Sequence, residues 1–274
     1  MPHIPAAPYL GTALIPFRKP AHLMTLEEYL RDILGRETVL LGILAPVERA
    51  YANLMPAISC WANGNAVLVT PSGSFAKGTA NCSGTDLDLF LSIPADVSTP
   101  MAEAYRLLAV QLRNHGYTTK LQNVSIGMTL GNLSIDLVPG RLQNPFSADH
   151  TVFHRRTSSW RKTNIARHIE IVRGSGRQDV IRLLKLWRNQ NGLEFPSFYL
   201  ELVTIRALQG ADFALADNVR IVLQYLADTF VTARFVDPAN TANILSDDLT
   251  VAQKLRVRAQ AKRALEGSWT SFVN

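Results

Sequence analysis

The chain contains 274 residues with 47% hydrophobic content and a formal net charge of +6, which predicts a folded protein with a substantial core in one large domain or two small ones. It contains no apolar run of about eighteen residues and no signal-peptide pattern, which argues against a membrane protein or a secreted one. Its two cysteines, Cys60 and Cys82, are too few for a disulfide framework and lack the spacing of a zinc site, so we expect a cytoplasmic protein with reduced thiols.

The first predicted elements are helices. Thr25 is followed three residues later by Glu28, the capping-box pattern that begins a helix, so TLEEYLRDIL is predicted to start one at Thr25. The segment 37–55 continues the helical pattern. An interruption is expected at Pro46, because proline removes a backbone donor from a helix.

After residue 63 the hydrophobic pattern changes to a period of two. Short alternating segments rich in β-branched residues predict strands at 64–70, 85–93, 125–130 and 133–138. Gly131 and Asn132, between the last two segments, are typical of a tight hairpin turn. These segments together predict a small mixed sheet.

Beyond Pro139 the strands are expected to stop and helices to follow. Apolar residues in RQDVIRLLKLWRNQNG recur at helical spacing, and Gly192 is a terminator. Further helices are predicted at about 198–209, 215–228 and 249–266. The predicted fold class is therefore α+β, with a sheet-containing domain at residues 1–155, a helical domain at 156–274, and a ligand site in the cleft between them.

Two aspartates separated by a leucine begin one of the predicted strands. Residues i and i+2 of a strand face the same side, so Asp86 and Asp88 project together and Leu87 projects to the other face. At about 4 Å and an effective dielectric near 20, two carboxylates repel by about 4 kcal/mol, which a bound cation such as Mg²⁺ would reverse.

A third aspartate lies on a neighbouring predicted strand. Asp136 alternates with apolar residues, so it is predicted to join Asp86 and Asp88 as an oxygen ligand, and three such ligands suffice for two metal ions. Taken alone, Asp136 would be interpreted as a hairpin-edge charge in water.

A Gly-Ser pair precedes these aspartates. Gly73 allows a phosphate to approach the backbone, and Ser74 is predicted to cap a short helix whose first N–H groups point at that phosphate. Without the aspartates downstream, both residues would be ordinary turn residues.

With these motifs in place, the sequence resembles the nucleotidyltransferase superfamily that shares the DNA polymerase β fold, whose pattern is Gly-Ser, Gly-Thr, Asp-x-Asp and a later third Asp. The blocks SWRKTNIARHIE, VIRLLKLWRNQNGLEFPSFYLELVTI and FVDPANTANIL look like the helical-domain blocks of one branch. That branch holds the oligoadenylate synthetases and the bacterial cyclic-oligonucleotide synthases (CD-NTases). The likeness runs from about residue 37 to 265.

The resemblance implies a nucleotidyltransferase domain with N-terminal helices at 1–155 and a helical nucleotide-binding domain at 156–274. It implies phosphate binding by Gly73 and Ser74, and catalysis through two Mg²⁺ or Mn²⁺ ions held by Asp86, Asp88 and Asp136.

The resemblance also implies nucleotide contacts on the helical side. Lys185 and Ser197 would contact the triphosphate and Phe198 would stack on the base. An ammonium group suits phosphate, and an aromatic ring offers a base about 1–3 kcal/mol of stacking energy. Without the resemblance, Phe198 would be interpreted as a core residue.

The implied function is metal-dependent transfer of a nucleoside monophosphate from an NTP, with ATP or GTP expected first, to a nucleotide hydroxyl, with release of pyrophosphate. The product would be a linear or cyclic oligonucleotide signal of the kind used in antiphage defence. The general base stays open, with Asp136 as the first candidate.

Basic residues are concentrated between Arg155 and Arg188, where ten Lys or Arg stand against Glu170 and Asp179. Such a surplus favours a polyanion unless the segment is a solvated helix face. An alternative function is therefore terminal nucleotide addition to RNA, of the CCA-adding or poly(A) type, which should fall steeply with salt. A further alternative is a catalytically silent nucleotide- or RNA-binding protein, against which the three aspartates argue.

Overall fold

The computed structural model describes residues 24–39, 44–84, 86–267 and 272–273. Residues 40–43 of a predicted helix and Thr85 of a predicted strand lie outside the described residues. The helices in the described part are α1 (Leu26–Arg36), α2 (Leu44–Ala62), α3 (Gly73–Lys77), α4 (Met101–Asn114), α5 (Ile165–Gly174), α6 (Gln178–Gln190), α7 (Ser197–Ala207), α8 (Leu215–Asp228) and α9 (Val251–Glu266). The strands there are β1 (Leu68–Pro71), β2 (Leu87–Ile93), β3 (Thr119–Leu121), β4 (Ile126–Leu130), β5 (Leu133–Leu142), β6 (His150–His154) and β7 (Ser159–Thr163).

The described strands form one mixed sheet. Its order is β1-β2-β5-β4-β3, and β6 continues from β5 to β7. β2 and β5 are parallel neighbours, while the other pairs are antiparallel. Because parallel neighbours need a crossover connection, α4, β3 and β4 lie between β2 and β5 along the chain. The predicted α+β architecture, a mixed sheet followed by helices, is confirmed.

The prediction that strands stop at Pro139 is wrong. β5 passes through Pro139 to Leu142, and β6 and β7 follow it. On the side of β5 away from β2, pairing with β4 extends as far as Leu137 and pairing with β6 starts at Gly140. The residues between have no partner on that side, so a residue without an N–H is accommodated there.

Several local predictions are confirmed. Thr25 and Glu28 form a reciprocal capping box at the start of α1, and Gly131 with Asn132 joins the antiparallel strands β4 and β5. The predicted interruption at Pro46 is not seen. α2 begins at Leu44, so Pro46 lies in its first turn, where a missing N–H is tolerated.

Buried side chains form two clusters. One lies between one face of the sheet and helices α2 and α4. The other joins α6 to α9 and also includes Tyr29, Leu30, Ile33 and Leu34 of α1, so the first described helix packs with the C-terminal ones. The division into 1–155 and 156–274 stays a prediction. Within the part of the chain that the structure describes, no helix combines the length and hydropathy that a membrane span needs.

Candidate active site

The two parallel strands bring two predicted carboxylates together. Asp88 of β2 lies directly opposite Asp136 of β5 in the strand register. Leu87 and Leu89 on either side of Asp88 are at most 1% exposed, in the core behind the sheet, so Asp88 projects from the opposite face, as predicted from the alternation. Asp86 lies immediately before β2.

Burial and neighbouring negative charges raise the pKa values of Asp88 and Asp136. Burial, then the charges of Asp136 and Asp86, raise the pKa of Asp88 from 3.8 to about 6, although Lys77 and the Ser74 backbone N–H oppose the shift. Burial, together with Asp86, also raises the pKa of Asp136, against hydrogen bonds from Ser125 and Gln122. The site therefore concentrates negative charge beyond what its surroundings neutralise.

Asp136 is held by two donors that the sequence interpretation missed. Gln122 Nε2 donates to Asp136 Oδ1 at 2.8 Å, and Ser125 Oγ donates to Asp136 Oδ2 at 3.2 Å. Gly127 lies opposite Asp136 on β4, and a Cβ there would stand only 2.5 Å from Gln122 Nε2. Because Gly127 has no side chain, the amide group of Gln122 has space to reach Asp136.

The chemistry of these carboxylates fits a hard divalent cation. None of the salt bridges among the described residues involves Asp86, Asp88 or Asp136, and carboxylate oxygens are ligands of Mg²⁺ and Mn²⁺. Within the same residues, however, no three acidic, histidine or cysteine side chains are arranged as a ready metal site. Both oxygens of Asp136 accept hydrogen bonds in this arrangement. The roles of Asp86, Asp88 and Asp136 as metal ligands and catalytic residues stay predictions.

The Gly-Ser motif forms the short helix α3 against the carboxylates. Gly73 has φ +58°, and a Cβ on it would lie 1.7 Å from Asp88 Oδ2, so only glycine fits this position. The expected cap is placed differently: Ser72, not Ser74, is the N-cap residue, and its side chain makes no capping bond. The Ser74 backbone N–H donates to Asp88. Phosphate binding by Gly73 and Ser74 stays a prediction.

A cavity of about 380 Å³ faces this motif and is closed on its other side by α6 and α7. It brings seven of the eight predicted site residues together, all except Asp136: Gly73, Ser74, Asp86, Asp88, Lys185, Ser197 and Phe198. The cavity thus lies in the cleft between the sheet and the helices, where the ligand site is predicted.

The predicted nucleotide contacts on the helical side already have partners. Lys185 is buried, and its Nζ lies 2.6 Å from Glu201 Oε1. Ser197 Oγ accepts a hydrogen bond from Arg188 Nη1 at 2.9 Å. The Phe198 ring centre lies 4.1 Å from that of His168. A base would therefore meet a ring that is already packed, and the stacking role of Phe198 stays a prediction.

The cavity is also lined by eight residues that were not predicted as site residues: Lys77, Thr79, Asn81, Ser83, Gly84, Arg188, Asn189 and Glu201. Lys77 and Thr79 follow the Gly-Ser pair, Arg188 lies on α6, and Glu201 lies on α7. Glu201 was detectable as a lone charge in the apolar run SFYLELVTI. Thr79 belongs to the Gly-Thr element of the resemblance and Arg188 to the basic segment, whereas the others carried no spacing signal.

Most basic side chains of the segment 155–188 are engaged within the fold. Those that donate to other groups of the chain are Arg155, Arg161, Lys162, Arg167, Arg177, Arg182, Lys185 and Arg188. Arg177, for example, donates to the backbone carbonyls of Leu208 and Ala211. Nothing in this arrangement favours the RNA-directed alternative.

No protein-family model matches the chain. Among curated proteins, it is 27% identical over 203 residues to the cyclic AMP-AMP-AMP synthase of Escherichia coli (strain MS 115-1). This match covers 65% of the chain and 63% of that relative, so it spans less than two thirds of the relative's length.

Solved structures share the fold over most of the chain. E. coli MS115-1 CdnC with ATP has a TM-score of 0.71 at 20% identity, covering 88% of this chain and 90% of that one. The Bradyrhizobium diazoefficiens CD-NTase CdnG with GTP has a TM-score of 0.75 at 14% identity, covering 88% and 91%. Vibrio cholerae DncV, a cyclic AMP-GMP synthase, has a TM-score of 0.59 at 17% identity, covering 74% and 63%. The predicted resemblance to the bacterial cyclic-oligonucleotide synthases is confirmed, and the chain has their fold.

Proposed function

We propose that this chain, which has the fold of the bacterial cyclic-oligonucleotide synthases, is a metal-dependent nucleotidyltransferase that transfers a nucleoside monophosphate from an NTP to a nucleotide hydroxyl. One observation carries the proposal. Asp88 and Asp136 lie in register beside Asp86, and Asp86 and Asp88 line a cavity whose opposite wall, formed by α6, presents Lys185 and Arg188. Acidic groups at one side and cations at the other suit a metal-bound triphosphate.

The three aspartates would hold two Mg²⁺ or Mn²⁺ ions, which when bound supply charge neutralisation and activation of the attacking hydroxyl. The residues of the chain itself bind and orient the reactants. Gly73 and Ser74 would place the phosphates, Lys185 and Ser197 would contact the triphosphate, and Phe198 would stack on the base. Positioning of this kind, with electrostatic stabilisation, accounts for most of catalysis in phosphoryl transfer.

The cleft also has space for an acceptor nucleotide. A second cavity of about 530 Å³ shares Gly73, Lys77 and Asp88 with the first and continues to His154 and Arg156. An acceptor lying there would reach Asp88 from the other side. Since a relative makes cyclic AMP-AMP-AMP, we propose that the product is a linear or cyclic oligonucleotide second messenger made from ATP or GTP, in a cytoplasmic antiphage pathway.

The test is incubation of the purified protein with labelled NTPs and Mg²⁺ or Mn²⁺, with and without RNA, followed by mass spectrometry of the small-molecule fraction. The wild type is expected to yield oligonucleotides, and Asp86→Asn/Asp88→Asn is expected to yield none. Asp96→Asn is the matched control, because Asp96 is exposed beyond the far end of β2. Label found only in RNA would establish the RNA-directed alternative, and a wild type that makes no product from any NTP would contradict the proposal.

A further inference from the structure

One buried carboxylate in the cleft is shared by two lysines. Glu201 is 1% exposed. Its Oε2 lies 2.9 Å from Lys77 Nζ, and its Oε1 lies 2.6 Å from Lys185 Nζ and 3.1 Å from Thr79 Oγ1. Lys185 Nζ also donates to Thr79 Oγ1 at 2.8 Å. We call these four residues the Glu201 network.

The Glu201 network joins separate parts of the fold. Lys77 ends the short helix of the Gly-Ser motif, and Thr79 follows it. Lys185 and Glu201 lie on α6 and α7 of the helical part. Because all four side chains line the cavity, the network fixes the distance between the Gly-Ser motif and the helical wall of the nucleotide site.

The charges of the network do not cancel. Burial would raise the pKa of Glu201, but Lys77 and Lys185 hold it below its usual value, so Glu201 is ionised. Two ammonium groups against one carboxylate leave one positive charge at the cavity wall. The charge of Lys77 also acts on Asp88. When metal ions neutralise the aspartates, as the proposed function requires, the excess cation of the network is left to pair with an anionic ligand.

Resting on the proposed function, we propose that Glu201 is a positioning residue that holds Lys77 and Lys185 side by side, and that Lys77 is a second triphosphate-contacting cation of the site. The carboxylate offsets the repulsion between the two ammonium groups, and the triphosphate neutralises the charge that remains. Lys77 Nζ also lies over the Phe198 ring, 4.5 Å from its centre, so the same lysine contacts the residue proposed to stack on the base.

A purely structural network would behave differently. If Glu201 only joined two parts of the fold, its loss would weaken binding of every ligand of the cleft by a similar factor. If it positions lysines for phosphate, its loss weakens binding of a triphosphate and leaves binding of an unphosphorylated nucleoside nearly unchanged.

The test compares the affinities of each variant for two ligands. One is α,β-methylene-ATP, which the transfer reaction does not consume. The other is adenosine, whose affinity is measured by competition against this analogue. Lys77→Met leaves Glu201 paired with Lys185, so this variant retains a balanced ion pair. It is expected to weaken analogue binding by about 10- to 100-fold, as loss of a hydrogen bond to a charged group does, with adenosine affinity changed by less than about twofold. Glu201→Gln is expected to act in the same direction.

The double variant Lys77→Met/Glu201→Gln should lose less than the product of the two single effects, because both act on one network. Glu103→Gln, an exposed glutamate on α4, is the matched control, and thermal unfolding of each variant monitors the fold. Equal losses for analogue and adenosine, or no change in either with Lys77→Met, would overturn the inference. The product assay on the wild type is a separate measurement, so a wild type that binds the analogue but makes no oligonucleotide contradicts the proposed function and not the network.

Discussion

Asp88 and Asp136 lie opposite each other on adjacent parallel strands, although a helix and two further strands separate them along the chain. The pairing places two carboxyl groups on one face of the sheet, and the charge of Asp136 raises the energy of ionising Asp88. Metal binding, pH dependence and the tolerance of nearby positions all follow from this relationship.

Ionisation of Asp88 is expected to destabilise the metal-free protein. Its pKa is raised from 3.8 to about 6, so the folded state binds this proton more tightly than the unfolded state does. Stability contributed by the protonated carboxyl is present below about pH 4 and is lost as pH rises through about 6. At about 1.4 kcal/mol per pKa unit, the loss amounts to at most about 3 kcal/mol.

Asp88→Asn removes this titration. We expect the variant to match the wild type at about pH 4 and to be more stable by about 1–3 kcal/mol at about pH 7.5, measured by urea unfolding without divalent metal. Asp96→Asn should show no such pH-dependent difference. A constant stability difference between Asp88→Asn and the wild type at both pH values would contradict this prediction.

Gly73→Ala is expected to abolish most activity. The new methyl group would collide with Asp88 Oδ2 at 1.7 Å, and displacement of a reacting group by about 1 Å can cost about 100-fold in rate. Gly131→Ala is a matched control, because Gly131 has φ +59° but no atom within 4 Å of a Cβ. It should lose about 1–2 kcal/mol of stability from the left-handed backbone alone and retain activity. Equal activity losses in both variants would contradict the prediction.

Gln122→Ala is expected to weaken metal binding. It removes the donor to Asp136 Oδ1, and loss of a group that orients a metal ligand typically lowers affinity by about 10- to 100-fold. The measurement is the Mn²⁺ or Mg²⁺ concentration that gives half-maximal thermal stabilisation. Gln143→Ala, an exposed glutamine on the β5–β6 turn, controls for the substitution itself. An unchanged half-maximal concentration would show that Gln122 does not support the metal site.

Phe198→Ala is expected to raise KM for the NTP by roughly 5- to 150-fold, the range that corresponds to about 1–3 kcal/mol of base stacking. Phe198→Tyr keeps the ring and should stay within about threefold of the wild type. The steady-state kinetics of product formation measure both. If Phe198→Ala lowers stability and leaves KM unchanged, the ring is a core residue and its contact with His168 is packing.

Local patterns predicted the parts of the site that lie close together along the chain. The Asp86-Leu87-Asp88 alternation determines which side chains share a face, and the Gly131-Asn132 turn determines that β4 and β5 pair. Both depend on residues only a few positions apart. The same holds for the capping box of α1.

Contacts between distant residues escaped sequence interpretation. β6 and β7 contain His150, His154, Arg161 and Lys162, and such polar segments become strands here only because β5 extends beyond Pro139 and offers a partner. Glu201 and Lys77 likewise meet only in the folded chain. Spacing along the sequence carries no signal for either contact.

The side chains of β2 and β5 couple the acidic face of the sheet to its hydrophobic face. A shift of β5 by one residue relative to β2 would turn Asp136 toward the leucines and bring an aliphatic side chain among the acids. Burial of Leu87, Leu89, Ile135 and Leu137, all at most 1% exposed, opposes that slip. Burial of the hydrophobic face therefore fixes the strand register that the acidic face needs. A cavity-forming substitution at Ile135 should depress turnover without altering any polar atom.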